Sequence, residues 1–244
     1  MTEMFIATPP NGHCFHADKL LAVGQTIRSV KLPELLRPEY LDAGLLAAET
    51  PAQALAYNEW PFRLWQLDAE LAGGMLRSFS PISEATVVAE LEVASVLGSH
   101  GTEIVFFLNQ LAVLNAGDFD LSSVSVKRAA PARSGMLRRK SEPEVIFPTE
   151  VAELSQVKQD IKQSALADAH DGIAACGLNL SKVVAQQLFS PFPFAQREPF
   201  NVFREQFTLN VAEALAALFA KDTISADIYT QLTSGIKALC GIEL

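Results

Sequence analysis

The apolar positions near the C-terminus fall into a helical rhythm. From Asn201 to Lys221, Phe203, Phe207, Val211, Ala214, Leu215 and Leu218 recur at spacings of three and four, which places them on one face of a helix. Leu209, Ala212, Ala216 and Phe219 widen that face until Arg204, Glu205, Asn210 and Glu213 form only a limited polar one, so the helix is expected to be buried on more than one side. Pro199 suits its first turn, where a missing amide proton leaves no carbonyl unpaired. Ser225 is placed to cap a second helix, with Asp227 in its first turn, Ile228, Leu232, Ile236 and Leu239 along its inner seam, and Gly241 at its end. Gly235 weakens that helix, and the close approach of a neighbouring backbone would account for it.

Upstream, Thr149 can cap a helix whose inner face is Val151, Leu154, Val157, Ile161 and Ala165 and which should stop by Asp171 and Gly172. Asn179 to Phe189 follows as another, with Leu180, Val183, Val184 and Leu188 inward. Four helices with short connections suit a small bundle. Thr102 to Leu114 carries Ile104, Phe107, Leu108, Leu111 and Leu114 at helical spacing before a stop at Asn115 to Gly117. Apolar nearly all round, it is expected to be the central buried helix of the N-terminal part.

The remaining N-terminal stretches are less regular. Glu3 to Ala7 is rich in strand formers, and Thr8 to Gly12 makes a turn before His13 to His16, which predicts a small hairpin. Leu20 to Val30 fits a strand or a short helix equally. Glu39 to Ala48 predicts a short helix, and Thr50 caps the next one with Pro51 at its first position. Pro61 then divides that segment into helices over Ala52 to Glu59 and Phe62 to Leu71. In Ser83 to Leu97 the residues Val87, Ala89, Leu91 and Val93 alternate as in a strand, while Val88, Leu91, Ala94 and Leu97 fit a helix; a cap at Ser83 favours the helix. The expected fold is therefore mainly α, a C-terminal helical bundle with a small N-terminal β element, with α+β as second choice.

Between Lys127 and Glu144 small, charged and proline residues follow one another without periodicity, too little apolar surface to repay ordering the backbone. The expected organisation is a mixed, mostly helical domain over 1–126, a basic linker over 127–145 and a helical bundle over 146–244.

Composition adds a tilt toward association. Hydrophobic residues make up 49% of the 244 and charged residues 19%, below the roughly 25% usual for soluble domains. The net charge of -9 is uneven: residues 1–125 carry -9, 126–144 carry +4 and 145–244 carry -4. The overall sign disfavours the whole chain as a nonspecific nucleic-acid binder. The basic exception, Lys127, Arg128, Arg133, Arg138, Arg139 and Lys140, is a candidate anion-binding segment for phosphates or for an acidic protein surface. Cys14, Cys176 and Cys240, odd in number and far apart, do not form a disulfide framework, and reduced thiols in a cytoplasm are the simplest account. The opening Met-Thr-Glu-Met lacks the basic region and long apolar run of a signal peptide, and the run Ile104 to Leu108 is too short to span a bilayer, so no membrane association is expected.

Candidate chemistry is sparse. No phosphate-cradling glycine loop, dinucleotide fingerprint or Gly-x-Ser-x-Gly elbow occurs. His13, Cys14 and His16 are weak candidate metal ligands: strand alternation sends Cys14 and His16 to one face and His13 to the other, and zinc needs four ligands, or three and water. No cofactor is expected. Asp168, His170 and Asp171 form an acidic cluster in which His170, just before Gly172, suits a helix C-terminus. Seven of the fifteen phenylalanines, Phe189, Phe192, Phe194, Phe200, Phe203, Phe207 and Phe219, fall within 31 residues around the proline-bent strap Ser190 to Ala195. One reading closes a core with them; the sharper one makes Phe189, Phe192, Phe194 and Phe200 anchors for another chain. The favoured reading is a non-catalytic structural subunit acting through protein-protein contacts, with itself or with other subunits, in a homo-oligomer or a larger complex such as a phage particle or a multi-subunit effector. Two alternatives stand beside it: a nucleic-acid-associated module using the basic linker, and a small enzyme whose site assembles from distant positions such as His13, His16, His100 or His170.

Overall fold

Among the described residues of the N-terminal half, strands outnumber helices. The computed structural model describes residues 1–28, 45–55, 58–72, 79–115, 118–119, 126–127, 144–145, 154–189 and 197–244. In chain order these begin with β1 (Thr2–Thr8), β2 (His13–Cys14), β3 (Lys19–Leu20), β4 (Thr26–Arg28) and β5 (Leu45–Ala48). Then come α1 (Pro51–Ala54), β6 (Arg63–Leu71), β7 (Phe79–Leu91), α2 (Val93–Val96) and α3 (Gly101–Ala112). The short strands β8 (Val126–Lys127) and β9 (Glu144–Val145) pair antiparallel and bracket the basic segment. Four helices follow: α4 (Leu154–Gln163), α5 (Ala167–Phe189), α6 (Arg197–Phe219) and α7 (Ala226–Cys240). The described residues are 52% helix and 24% strand, so the fold is mixed α+β, not mainly α, and the N-terminal region is sheet-rich, not mostly helical.

The five-stranded sheet closes on itself. β1 runs antiparallel to β6 from Thr2 opposite Ala69 to Thr8 opposite Arg63. β6 pairs with β7, β7 with β5, and β5 returns to β1 where Phe5 faces Ala48, while β4 lies against β7. β7 reaches both neighbours because its register against β6 skips at Ser83 and again at Val88. Each extra residue bends the strand and raises its twist, which carries the two ends of β7 to different partners. The inner face of this barrel-like sheet buries Met4, Ile27, Leu45, Trp65, Leu67, Ile82 and Val87.

Several expectations are corrected here. β1 exists, but it pairs with β5 and β6, and the partner of β2 is β3. The expected helix over Glu39 to Ala48 is strand β5 at its described end, residues 39–44 lying outside the described residues. Thr50 does cap α1, accepting from the Gln53 amide at 3.2 Å with Pro51 at the first position, yet that helix is a single turn. Phe62 to Leu71 and Ser83 to Leu97 were expected as helices; β6 and β7 occupy most of both.

The helical part follows its periodicity more closely. Phe203, Phe207, Val211, Ala214, Leu215 and Leu218 of α6 are all buried, as are Leu232, Ile236 and Leu239 of α7. Ser225 caps α7 by accepting from the Ile228 amide, and Gly241 ends it in the left-handed conformation at φ 70°. Leu154, Val157 and Ile161 of α4 pack on Ala216 and Ala217 of α6 and on Ala220 just past its end. Asp171 and Gly172 do not stop a helix; they lie inside α5, and the break comes at residues 164–166. α3 forms as expected but is not buried all round, because Phe106 on its outer side is exposed. Phe5, Ala48 and Leu64 from the outer face of the sheet share one continuous core with Phe107 of α3, Ile173 of α5, Phe207 of α6 and Ile236 of α7.

Candidate functional site

The densest described cluster of polar chemistry joins the start of α3 to the α6–α7 turn. His100 occupies the residue before α3, and its ring makes no capping bond to that helix. Past α6 the chain turns tightly, with the Thr223 amide on the Ala220 carbonyl at 2.8 Å. Between them, Lys221 and Asp222 reach the start of α3. His100 Nε2 lies 2.8 Å from Asp222 Oδ1, and Ser99 donates to Asp222 Oδ2 at 2.9 Å. The other ring nitrogen, Nδ1, lies 3.5 Å from Glu103 Oε1. Lys221 donates to Glu103 Oε2 at 2.5 Å, and its ammonium stands 5.3 Å from the centre of the Tyr229 ring.

Electrostatics follow from these contacts. Hydrogen bonds from His100 and then Ser99 hold the Asp222 carboxyl below the ordinary carboxylate range. The bond from Lys221, ahead of those from His100, does the same for Glu103. The Lys221 ammonium is in turn held above its ordinary value by Glu103.

This arrangement does not resemble a nucleophile and its base. A general base needs a free lone pair beside the proton it takes, and here both ring nitrogens of His100 face carboxylates. Ser99 donates to Asp222 and not to the imidazole, so no base activates its hydroxyl. The geometry is that of a clasp between a segment before residue 127 and one after 145.

The other sequence candidates are dispersed. His13 and Cys14 lie in β2, but His16 falls in a single 3-10 turn over Phe15–Ala17, so strand alternation ends before it. His13 Nε2 faces Asp18 at 3.4 Å while the Cys14 thiol is buried and pushed up by desolvation. Among the described residues, no group of three or more His, Cys, Asp and Glu side chains is placed to hold a metal ion. His170 is in the first turn of α5, not at a helix C-terminus, so the dipole there opposes a charged ring. Its Nδ1 lies 3.3 Å from Asp171 Oδ1, and its ring meets Phe219 edge-on at 5.1 Å. Cys176 is buried between α5 and the end of α1, donating to the Asn58 carbonyl at 2.9 Å, and burial pushes its thiol up to about 12.

Of the clustered phenylalanines, Phe203 and Phe207 are core, stacked at 5.6 Å with Phe119 edge-on to both. Phe219 is half-buried against the same core. Phe192 and Phe194 lie outside the described residues, as do the side chains of Phe189 and Phe200. The same holds for Arg128, Arg133, Arg138, Arg139 and Lys140 and for the side chain of Lys127.

Two apolar surfaces escaped the sequence reading. The arm built on β2 and β3 exposes Phe15 by 51%, Leu20 by 62% and Val23 by 64%. On α3, Phe106 is 58% exposed, and Val113, just past the end of that helix, is 70% exposed. No described helix is long and apolar enough to cross a membrane. Comparison of the chain with protein-family models, curated proteins and solved structures returned no match.

Proposed function

We propose that the chain is a non-catalytic structural subunit that works through protein-protein contacts, either with its own copies or within a larger complex. The observation supporting this reading is the pair of exposed apolar surfaces, Phe15, Leu20 and Val23 on the β2–β3 arm and Phe106 of α3 with Val113 just past its end. Single exposed apolar residues are ordinary, but three on one short arm are the kind of grouping that marks a contact surface. The sequence candidates Phe189, Phe192, Phe194 and Phe200 belong to the same proposal as further anchors, and the basic segment as a clamp for an acidic surface. A reducing, cytoplasmic setting is part of the reading, supported by three buried, unpaired cysteines.

Light scattering at two concentrations tests it. The native chain should exceed its monomer mass of 26.4 kDa and grow with concentration. Serine at Phe15 and Leu20, at Phe106 and Val113, or at Phe192 and Phe194 should return the mass toward the monomer in at least one pair, with circular dichroism unchanged. A native mass fixed at the monomer value sinks self-association, and a larger mass untouched by all three pairs removes these surfaces from the proposal.

A further inference from the structure

The clasp at the start of α3 is built around a ring whose number of donors depends on its protonation. An imidazolium carries an N–H on each nitrogen, whereas the neutral ring carries one and presents a lone pair at the other. His100 directs Nε2 at Asp222 and Nδ1 at Glu103, so both contacts are attractive only when both nitrogens hold protons. We propose that His100 is a protonation-dependent clasp that ties the α6–α7 turn to the start of α3 while the ring is charged and slackens when it loses one proton.

The surroundings favour such a device. The side chain of His100 is 18% exposed, protected enough for its geometry to be fixed and open enough for proton exchange with solvent. Asp222 and Glu103 are both held below the ordinary carboxylate range, so they remain anionic while the ring gains or loses its proton. The neighbouring charge is Lys221, which is itself engaged by Glu103 and stands over Tyr229. From α2 the Ala94 carbonyl packs against Gly101, and from the turn before α5 the Leu166 side chain packs against Gly98; neither is ionisable. Deprotonation leaves Nδ1 as a lone pair facing Glu103, or Nε2 as one facing Asp222. Either way one carboxylate loses its partner on the ring.

A double-mutant cycle of His100→Gln and Asp222→Asn in urea unfolding, run near about pH 5.5 and near about pH 8.5 on either side of the usual imidazole range, isolates the pair from every other titrating group. The expected coupling is about threefold in the unfolding constant at the lower pH, the size of a partly exposed ion pair, and smaller at the higher, where the ring has lost its charge. A coupling equal at both pH values, or absent at the lower, overturns the proposal. Should a variant fail to fold, nitrogen and carboxyl NMR of the native chain carries the test. The Asp222 and Glu103 carboxyl resonances must then shift in step with the His100 ring, and carboxyl shifts indifferent to it overturn the clasp equally.

Discussion

The sheet and the helices fix their geometry by different means. Inside the closed sheet, Trp65 is packed among small residues such as Ala47, Ala69 and Ala85, and its indole N–H donates to Thr8 Oγ1 at 2.9 Å. The backbone ladder already sets the strand register, so the side chains need only fill a narrow space. The helical core holds larger rings, Phe107, Phe203 and Phe207, and admits polar side chains, with Ser181 meeting Thr208 at 3.0 Å and Asn210 almost fully enclosed. Helices have no ladder between them, and their relative placement rests on side-chain contacts. The contrast teaches that a lost side chain in the sheet leaves a hole in a fixed frame, while one in the bundle also removes part of the frame.

The largest expected effects come from emptying each interior. Trp65→Ala and Phe207→Ala should each cost about 3–5 kcal/mol in urea unfolding, as truncation of a buried aromatic side chain does. Trp65 and Phe207 are 1% and 0% exposed, so neither cost is relieved by solvent in the folded state. Phe5 and Leu64 of the sheet belong to the same core as Phe207, so either loss should be felt by both regions. Far-ultraviolet circular dichroism and tryptophan fluorescence should then report coincident midpoints in the Phe207 variant. Separate midpoints would show that the two interiors unfold independently.

The same difference explains what was legible in the chain. A helix packed on one side repeats its apolar residues every three or four positions, and α6 and α7 show this directly. A strand announces itself only when one face is wet, and here both faces are used. In β6, Leu64 joins the helical core from one face while Trp65 and Leu67 fill the barrel-like interior from the other, so Leu64, Leu67 and Leu71 imitate a helix. In β7 the extra residues at Ser83 and Val88 reverse the alternation twice, which left Val87 and Val88 open to either reading. Asp171 and Gly172 carried a stop signal that tertiary packing overrode inside α5. The clasp had no local signal, since Ser99 and His100 lie 123 and 122 positions from Asp222. The exposed Phe106 gave none either, because its sequence neighbours Val105 and Phe107 are equally apolar.

The frame provided by side chains can be probed where α7 crosses α6. A neighbour was expected to approach Gly235 closely, and it is the Asn210 amide group, not a backbone: a Cβ at Gly235 would stand 2.5 Å from Asn210 Oδ1. Asn210 Nδ2 is buried without a hydrogen-bond partner among the described residues, so the amide is held by packing on that side. Helix propensity alone would make Gly235→Ala stabilising by about 1 kcal/mol. Overpacking should win and destabilise by about 1–3 kcal/mol. Asn210→Ala in the same chain should recover most of that loss, and thermal unfolding of the two single variants and the double decides it. A stabilised Gly235→Ala would mean that α7 does not rest on Asn210 at all.

The smallest effect sets His170 against His100 at the same end of the helices. Burial lowers the affinity of His170 for a proton, Asp171 partly restores it, and Lys158 and Lys162 lower it further. Its place in the first turn of α5 acts in the same direction as burial, since the helix N-terminus repels a cation. The folded value is therefore below the unfolded one of about 6.5. As pH falls through that unfolded value, the unfolded chain takes up a proton that the folded chain refuses, so stability declines with acidification and the loss is complete only below the folded value. His170→Gln should remove this decline, and His100→Gln should leave it in place. Urea midpoints between about pH 5 and about pH 7.5 measure both. Equal slopes in the native chain and the His170 variant would show that the ring beside Phe219 takes up its proton as freely folded as unfolded.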